Sequence, residues 1–448
     1  MSQSPTNQPS SPPLRLAIAG LGTVGVGVIR LIDTNRDLIA ARAGRAIEVS
    51  AVSARDRTKP RGVDLARFQW EDDMTALAAR EDVDVVLELV GGSDGPALAL
   101  SRAALKAGKG VVTANKAMIA HHGLELAETA EANSAPLKFE AAVAGGIPVV
   151  KGLREGISAN ALTKVYGILN GTCNYILSEM EATGADFADV LAEAQKLGYA
   201  EADPTFDIEG IDAAHKLAIL AAIGFGARLD FGAVRVTGIT GVRAADIAQA
   251  DALGFVIRLI AEADVHRQDG ADRLLQRVRP CLVAKDHPLA PVDGPTNAVV
   301  AEGNFSGRLL FQGAGAGDGP TASAVVADVI DIARASQGGG VGSPFSMPVG
   351  QLSPLEPAEP GDLSQRSYLR FTVRDRPGVL AEITAAMRDA GVSIESLIQQ
   401  GRERDGGEVM VAMVTHEGPE RCVSQALALL EGSESLTADP LVLPILEA

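Results

Sequence analysis

An α/β chain in three parts is predicted, and three observations predict it. Short apolar runs alternate with helical segments through the first 145 residues. A Gly-x-Gly-x-x-Gly turn links the first run to the first helix. Beyond residue 365, behind a stretch dominated by Gly, Ser and Pro, strands and helices follow in the order βαββαβ.

The first part opens with the run Leu14–Ala19, and others recur at 47–52, 83–90, 110–113 and 137–142. Helix-like segments such as 96–107 and 123–132 separate them. Strands that alternate with helices form βαβ units and a parallel sheet, so a first domain is placed at 14–145. Its turn reads Gly20-Leu21-Gly22-Thr23-Val24-Gly25. Gly20 permits the tight turn, Gly22 lets backbone approach a pyrophosphate, and Gly25 lets the helix lie close to the strand. The helix N-terminus then presents amides and the positive end of its dipole to the phosphates. The domain therefore reads as Rossmann-like and dinucleotide-binding, with a Gly-rich turn in another doubly wound domain as the plain alternative. The second strand ends at Ser53, where an NAD site carries an acid for the ribose hydroxyls. Arg55, Arg57, Lys59 and Arg61 follow and suit a 2′-phosphate, so NADP is expected, with NAD left open by Asp56. Lys116, in Thr113-Ala114-Asn115-Lys116, follows a strand at the crevice where such sheets bind ligands. It can polarise a carbonyl or donate to a phosphate; a solvated lysine is the alternative.

From Pro148 the pattern changes to longer helical segments at 174–182, 187–197 and 210–224, with strand-like pieces near 163–169 and 276–282. A mixed α+β domain is expected over 146–319, with a helix near 320–336 that returns to the first domain. If 210–224 is a helix, Asp212 and Lys216 fall one turn apart on one face. A surface salt bridge would be the bland reading of that pair. Ile211, Leu217 and Leu220 already supply a core stripe, which frees the polar pair to line a pocket. Carbonyl reduction needs a proton donor for the developing alkoxide, and a cationic substrate amine needs a carboxylate. Glu201, Asp212 and Lys216 meet both needs. Cys173 has no paired base nearby in sequence and is set aside as a nucleophile.

Residues 336–365 are rich in Gly, Ser and Pro, so no packed element is expected there and 337–365 reads as a linker. In 366–448, strands at 368–373, 392–400 and 407–415, helices at 379–390 and 419–430, and a last strand ending near Ile445 make a ferredoxin-like βαββαβ unit. Its turn Asp375-Arg376-Pro377-Gly378 precedes a helix start, where amides can hold an α-carboxylate.

Composition bounds the partners. Fifty-seven acidic against forty basic residues leave a formal charge of −17, with no long basic cluster, which argues against nucleic acid and anionic membranes. No apolar run reaches the roughly 18 residues a spanning helix needs. Cys173, Cys281 and Cys422 lie far apart, so no disulfide framework and a cytoplasmic home are expected. Residues 1–13 are polar and proline-rich and read as a short tail, not a signal peptide. The six histidines show no metal-ligand spacing.

The segments AGLGTVGVGV, VVTANK, FEAAVAGGIPVV, GILNGTCNYIL, LGYAEADPTFDIEGIDAAHKLAIL and GAGAGDGPTASAVVADVI, in this order, resemble homoserine dehydrogenase over residues 14 to about 350. The tail RSYLRFTVRDRPGVLAEITAAMRDAGVSI resembles an ACT domain, a module that binds amino acids. The resemblance implies the monofunctional enzyme and the reversible NAD(P)H-dependent reduction of L-aspartate 4-semialdehyde to L-homoserine, in threonine, methionine and isoleucine biosynthesis. It implies that Lys216 is the proton donor and Lys116 a second lysine near the nicotinamide, and it leaves open which of them dominates. Glu201 and Asp212 match the acids that hold the substrate amine and the water or lysine network, which makes Asp212 catalytic as well, and loops at Gly91-Gly92 and Gly315–Gly317 would flank the cofactor. Glu140, Val143, Gly145 and Ile147 match positions that bind a monovalent cation such as sodium, largely through backbone oxygens. The 146–319 domain would also carry dimerisation, in a dimer or tetramer. Threonine would act at Asp375, Pro377 and Gly378; a degenerate ACT domain that only helps oligomerise the enzyme is the alternative. Two other readings remain at this point: another nicotinamide-dependent dehydrogenase of amino or keto acids, and a non-catalytic sensor that would leave Glu201, Asp212 and Lys216 unexplained.

Overall fold

A computed structural model describes residues 11–340, 342–400 and 407–446; residues 1–10 of the expected tail lie outside them. The chain forms two compact units that interleave along the sequence. The first takes the residues up to Leu169, then His215–Ala233 and Asn297–Leu355; the second takes Asn170–Ala214, Val234–Thr296 and the residues from Glu356 onward.

A six-stranded parallel sheet organises the first unit, in the order Gln69–Trp70, Ile47–Ser53, Leu14–Ala19, Val85–Glu88, Gly110–Thr113, Leu137–Lys138. Its strands are short apolar runs because helices cover them, and Leu16, Ile18, Val86, Leu87, Val111 and Val112 are fully buried. The strand order reverses between Leu14–Ala19 and Val85–Glu88, which opens a crevice at their carboxyl ends. Helix Asp318–Arg334 returns to this core: its Ala322, Val325, Val329 and Ile332 pack in one cluster with Leu16, Ile18, Val28, Ile29 and Ile32. Strand Leu162–Ile168 pairs antiparallel with Thr296–Gly303, and Gly307–Ala314 follows beside that strand.

The second unit is built on a hairpin, Phe255–Gln268 with Ala271–Ala284, paired in register from Ala271↔Gln268 to Ala284↔Phe255. Its two-residue turn is Asp269-Gly270, with φ of 51° and 79°, the left-handed pair whose twist matches that of the strands. The last strand, Leu441–Leu446, runs parallel to Ala271–Ala284 at Leu282↔Ile445 and antiparallel to Ser367–Arg374. Glu408–Thr415 and Ile394–Gln400 continue that sheet, and helices Val379–Asp389 and Glu420–Leu429 complete the βαββαβ unit. Its core joins Phe371, Val373, Ile383, Met387, Val411, Met413 and Ala426.

Part of 336–365 is packed, against the expectation from its composition. Phe345, Val349 and Leu352 are buried, and Phe345 lies 5.7 Å from the Phe139 ring. The Glu131 carboxylate accepts from Val349 N, and Arg154 Nη1 donates to Pro344 O at 3.1 Å. Leu274 N donates to Glu356 O and Ala358 N to Leu274 O, which adds an edge to the hairpin. Gly, Ser and Pro disfavour a regular ladder, but they do not prevent the apolar residues between them from burying.

Candidate active site

The Gly-rich turn has the shape a dinucleotide needs. Gly20 has φ of 98°, and a Cβ there would meet Leu89 O at 2.5 Å. A Cβ on Gly25 would stand 2.0 Å from Gly20 O, so the helix lies as close as the strand–turn–helix motif requires. At Gly22 a Cβ would find nothing within 4 Å, which leaves open space in front of the helix start. Helix Thr23–Thr34 has no side-chain cap, so Thr23 and Val24 begin it with their amides available to an anion. These features fit a bound pyrophosphate. Leu21 is buried, and its carbonyl accepts from Arg61 Nε at 3.1 Å. Arg61 also donates to the carbonyls of Lys59 and Asp56 at 2.8 and 2.6 Å, so it braces the basic loop; Arg57 stacks on Trp70 at 5.6 Å. Arg55 remains exposed on that loop. Hydrogen bonds from Thr58, side chain first and then backbone, hold the exposed Asp56 carboxyl below its usual range.

Beside the crevice, Glu88 organises the next loop. It is fully buried, and its Oε1 accepts from Val90 N at 2.8 Å and Gly91 N at 3.2 Å while Oε2 accepts from Thr113 Oγ1 at 2.6 Å. Thr113 Oγ1 accepts from Asn115 N, and Asn115 Nδ2 donates to Gly92 O at 2.7 Å. Asn115 also caps helix Lys116–Ala132 by accepting from Met118 N at 3.1 Å. Lys116 thus stands half-buried at the first position of a helix whose start is fixed to the Gly91-Gly92 loop.

The stretch 140–147 meets the loop that precedes the return helix. A Cβ on Gly145 would lie 2.5 Å from Gly315 O, and Gly317 begins helix Asp318–Arg334 at φ of 116°. Glu140 spends its carboxylate on the amides of Val150 and Lys151, each at 2.9 Å, and donates its own amide to Asp328. Burial, then the charge of Asp328, pushes the Glu140 carboxyl up to about 7. Val143 and Ile147 are buried, and the main-chain oxygens of Glu140 and Ile147 accept from Val143 N and Val149 N.

Helix Ile211–Phe225 carries both Asp212 and Lys216, at the spacing the sequence predicts. Both are buried, at 4% and 8% exposed, and do not lie on the surface. In the first unit, Lys216 Nζ donates to Leu169 O at 2.7 Å, and Asn297 Nδ2 donates to the same oxygen at 2.9 Å. In the second, Asn170 Nδ2 donates to Asp212 Oδ2 at 2.8 Å and Asp207 Oδ1 at 2.7 Å, while its Oδ1 caps helix Gly171–Thr183 through Cys173 N. Cys173 is buried and its thiol donates to Asp207 O. Glu201 is exposed after helix Phe187–Leu197, where its carbonyl accepts from Gln195. In the C-terminal module, Gly378 has φ of 96° and starts helix Val379–Asp389 without a side-chain cap; Pro377 is exposed and Asp375 half-buried.

Sequence reasoning missed Glu88, Asn170 and Asn297. Asn170 had a legible signal, since an Asn ahead of an apolar run is a preferred helix cap.

A homoserine dehydrogenase of Pseudomonas aeruginosa is 44% identical over 432 residues, covering 95% of this chain and 97% of its own. The chain belongs to the homoserine dehydrogenase family. That of Corynebacterium glutamicum is 44% identical over 425 residues, covering 94% of this chain and 93% of its own. The crystal structure of the Thiobacillus denitrificans homoserine dehydrogenase superposes with a TM-score of 0.90 at 39% identity, covering 97% of this chain and 98% of that one. Residues 20–140 match the homoserine dehydrogenase NAD-binding domain, 148–330 the homoserine dehydrogenase domain and 367–431 the ACT domain. A hyperthermophilic archaeal homoserine dehydrogenase in complex with NADPH is also similar, with a TM-score of 0.61, 26% identity, and coverage of 71% of this chain and 97% of that one. As a homoserine dehydrogenase, the chain is an NAD(P)-dependent oxidoreductase of amino-acid biosynthesis with an ACT domain.

Proposed function

We propose that the chain interconverts L-aspartate 4-semialdehyde and L-homoserine with NADPH as the preferred donor and Lys216 as the proton donor. The observation that carries this reading is the burial of an ammonium side chain whose Nζ is aimed by a single-turn helical register and a main-chain carbonyl. A bound nicotinamide supplies the hydride to the aldehyde carbon. Lys216 gives its proton to the aldehyde oxygen as charge develops there, with Lys116 as the second lysine beside the reacting carbonyl. Asp212, oriented by Asn170, and the exposed Glu201 hold the substrate ammonium. Gly20 to Gly25, Gly92 and Gly317 form the cofactor loops, and the exposed Arg55 lies on the basic loop that would take a 2′-phosphate.

The finer parts of the reading rest on local geometry. Main-chain oxygens of Glu140, Val143, Gly145 and Ile147 would hold a monovalent cation such as sodium, supported by the tight left-handed turn at Ala144 and Gly145, with φ of 54° and 53°. The turn Asp375–Gly378 takes threonine, the pathway end product, at Asp375, Pro377 and Gly378, supported by the uncapped helix start at Gly378. Domains at 14–145 with the return helix, 146–319 and 366–448, a homo-oligomer, and a cytoplasmic location complete it; no helix among the described residues is long and apolar enough to cross a membrane.

Steady-state oxidation of homoserine with NADP⁺ and with NAD⁺, with and without threonine, tests the reading. Lys216→Ala should lower kcat about 10²–10⁴-fold with little change in the cofactor KM. Near-normal turnover would move proton donation to Lys116. Equal use of both cofactors would remove the NADP preference, and unchanged rates with threonine would remove the effector.

A further inference from the structure

The two lysines stand on different helices, and a polar contact joins those helices. His121, five residues after Lys116 on helix Lys116–Ala132, places its Nε2 3.2 Å from Nε2 of His215, the neighbour of Lys216. The rings lie 5.2 Å apart at 70°, and Phe231 packs on both, at 4.9 Å from His121 and 4.4 Å from His215. His215 is 4% exposed, so its ring has little freedom to turn away. Near its start, the helix of Lys116 is also anchored through Asn115 to Gly92 O at 2.7 Å and through His122 Nε2 to Asp94 Oδ1 at 2.9 Å.

Two Nε2 atoms at this distance make an N–H···N hydrogen bond, which needs a proton on one nitrogen and a lone pair on the other. When both imidazoles are fully protonated, neither Nε2 can accept and the two cations repel. We infer that His121 and His215 form a positioning clamp that fixes the helix of Lys116 against the helix of Lys216, and that the clamp opens in acid. The inference rests on the assignment of carbonyl chemistry to the two lysines. The charged groups in the elements packed on the pair are Asp94 with His122, Lys116, Glu125, Glu128 and Glu131 on the His121 helix, Asp212 and Lys216 on the His215 helix, and Asp230 beside Phe231.

His121→Phe keeps a ring against Phe231 and removes the hydrogen bond; His121→Gln keeps a donor and an acceptor that do not titrate. His121→Phe should lower kcat for homoserine oxidation roughly ten- to hundredfold, the scale of a small misplacement of reacting groups, with the NADP⁺ KM and the melting temperature near wild type. His121→Gln should recover most of kcat and flatten the acid side of the kcat–pH profile. A wild-type kcat in His121→Phe, or an acid limb in His121→Gln that matches wild type, overturns the clamp. Should His121→Phe fold poorly, the rate and pH profile of His121→Gln decide by the same criteria. Lys216→Ala run in parallel separates the two readings: full activity there overturns the lysine assignment, whereas an inactive Lys216→Ala beside an unaffected His121→Phe overturns the clamp alone.

Discussion

Two arginine–aspartate pairs hold two regions of this chain, and burial separates them. Arg15, in strand Leu14–Ala19, pairs with Asp84, just ahead of the neighbouring strand Val85–Glu88, at 2.8 Å, with side chains 38% and 34% exposed. Arg370 and Asp246 join the first strand of the C-terminal module to helix Ala244–Ala252, at 2.9 Å, with side chains 5% and 0% exposed. Asp246 also accepts from Tyr368 Oη at 3.0 Å and Arg243 N at 2.9 Å, and Arg370 Nη2 donates to Gly241 O. Burial raises the Asp246 carboxyl from its ordinary value, and the charge of Arg370 opposes that rise. Burial raises the Tyr368 hydroxyl too, helped by the adjacent Asp246 charge. An exposed pair adds little, whereas a buried pair cannot lose one partner cheaply. Together with the Leu282↔Ile445 strand pairing, the buried pair makes the C-terminal module a built-in part of the second unit, not an appendage on a linker.

The largest effect is therefore expected at Arg370. Arg370→Met strands Asp246 in the interior and should cost about 3–5 kcal/mol in the denaturant unfolding of the full chain. The double variant Asp246→Leu with Arg370→Met should recover most of that loss, because no buried charge remains. A loss under about 1 kcal/mol in the single variant would put the pair in the same class as Arg15–Asp84. The same argument bears on tests of regulation. Cutting the chain near residue 350 would bare the edge of Ala271–Ala284 and leave Asp246 unpaired, so substitutions in the Asp375–Gly378 turn are the cleaner probe.

The two regions were unequally legible in the sequence. The parallel sheet announces itself locally, through apolar runs such as Val85–Glu88 and the Gly20–Gly25 turn, whose causes lie within a few residues. Strand Phe255–Gln268 went unseen because Arg258, Glu262 and Asp264 break its apolar pattern, although all three are buried. Arg258 is matched there by Glu181 and Asp293, residues 77 and 35 positions away, which no local period reveals. The Asp269-Gly270 turn was a signal in plain view. Among the candidate site residues, the Asp212–Lys216 spacing was readable because one helical turn makes it. Glu88 was not, because its partner Thr113 lies 25 residues away and meets it only once the strands pair.

Glu88 offers the intermediate test. Its two oxygens accept from three donors, so Glu88→Gln turns an amide N–H toward a group that also donates. The cost should be about 1–3 kcal/mol in stability. Slackening of the 90–92 loop should also weaken NADPH in a fluorescence titration. Unchanged stability and affinity would mean that the loop is held by Asn115 alone.

The smallest effect belongs to Asp84, and its pH dependence has a definite sign. Burial alone would raise this carboxyl, but hydrogen bonds from the Arg15 guanidinium and amide outweigh it and hold the group below its ordinary value. A carboxyl depressed in the folded state contributes stability that is present above its unfolded value, near pH 4, and is lost as pH falls through the folded value. Asp84→Asn should therefore cost under about 1 kcal/mol at neutral pH, since the pair is a third exposed and screened. The difference between wild type and variant should hold steady down to about pH 5, shrink at lower pH, and shrink in high salt as well. Urea unfolding at several pH values measures it. A cost at neutral pH as large as that of Arg370→Met, or one that grows as acid is added, would mean that burial is not what separates the two pairs.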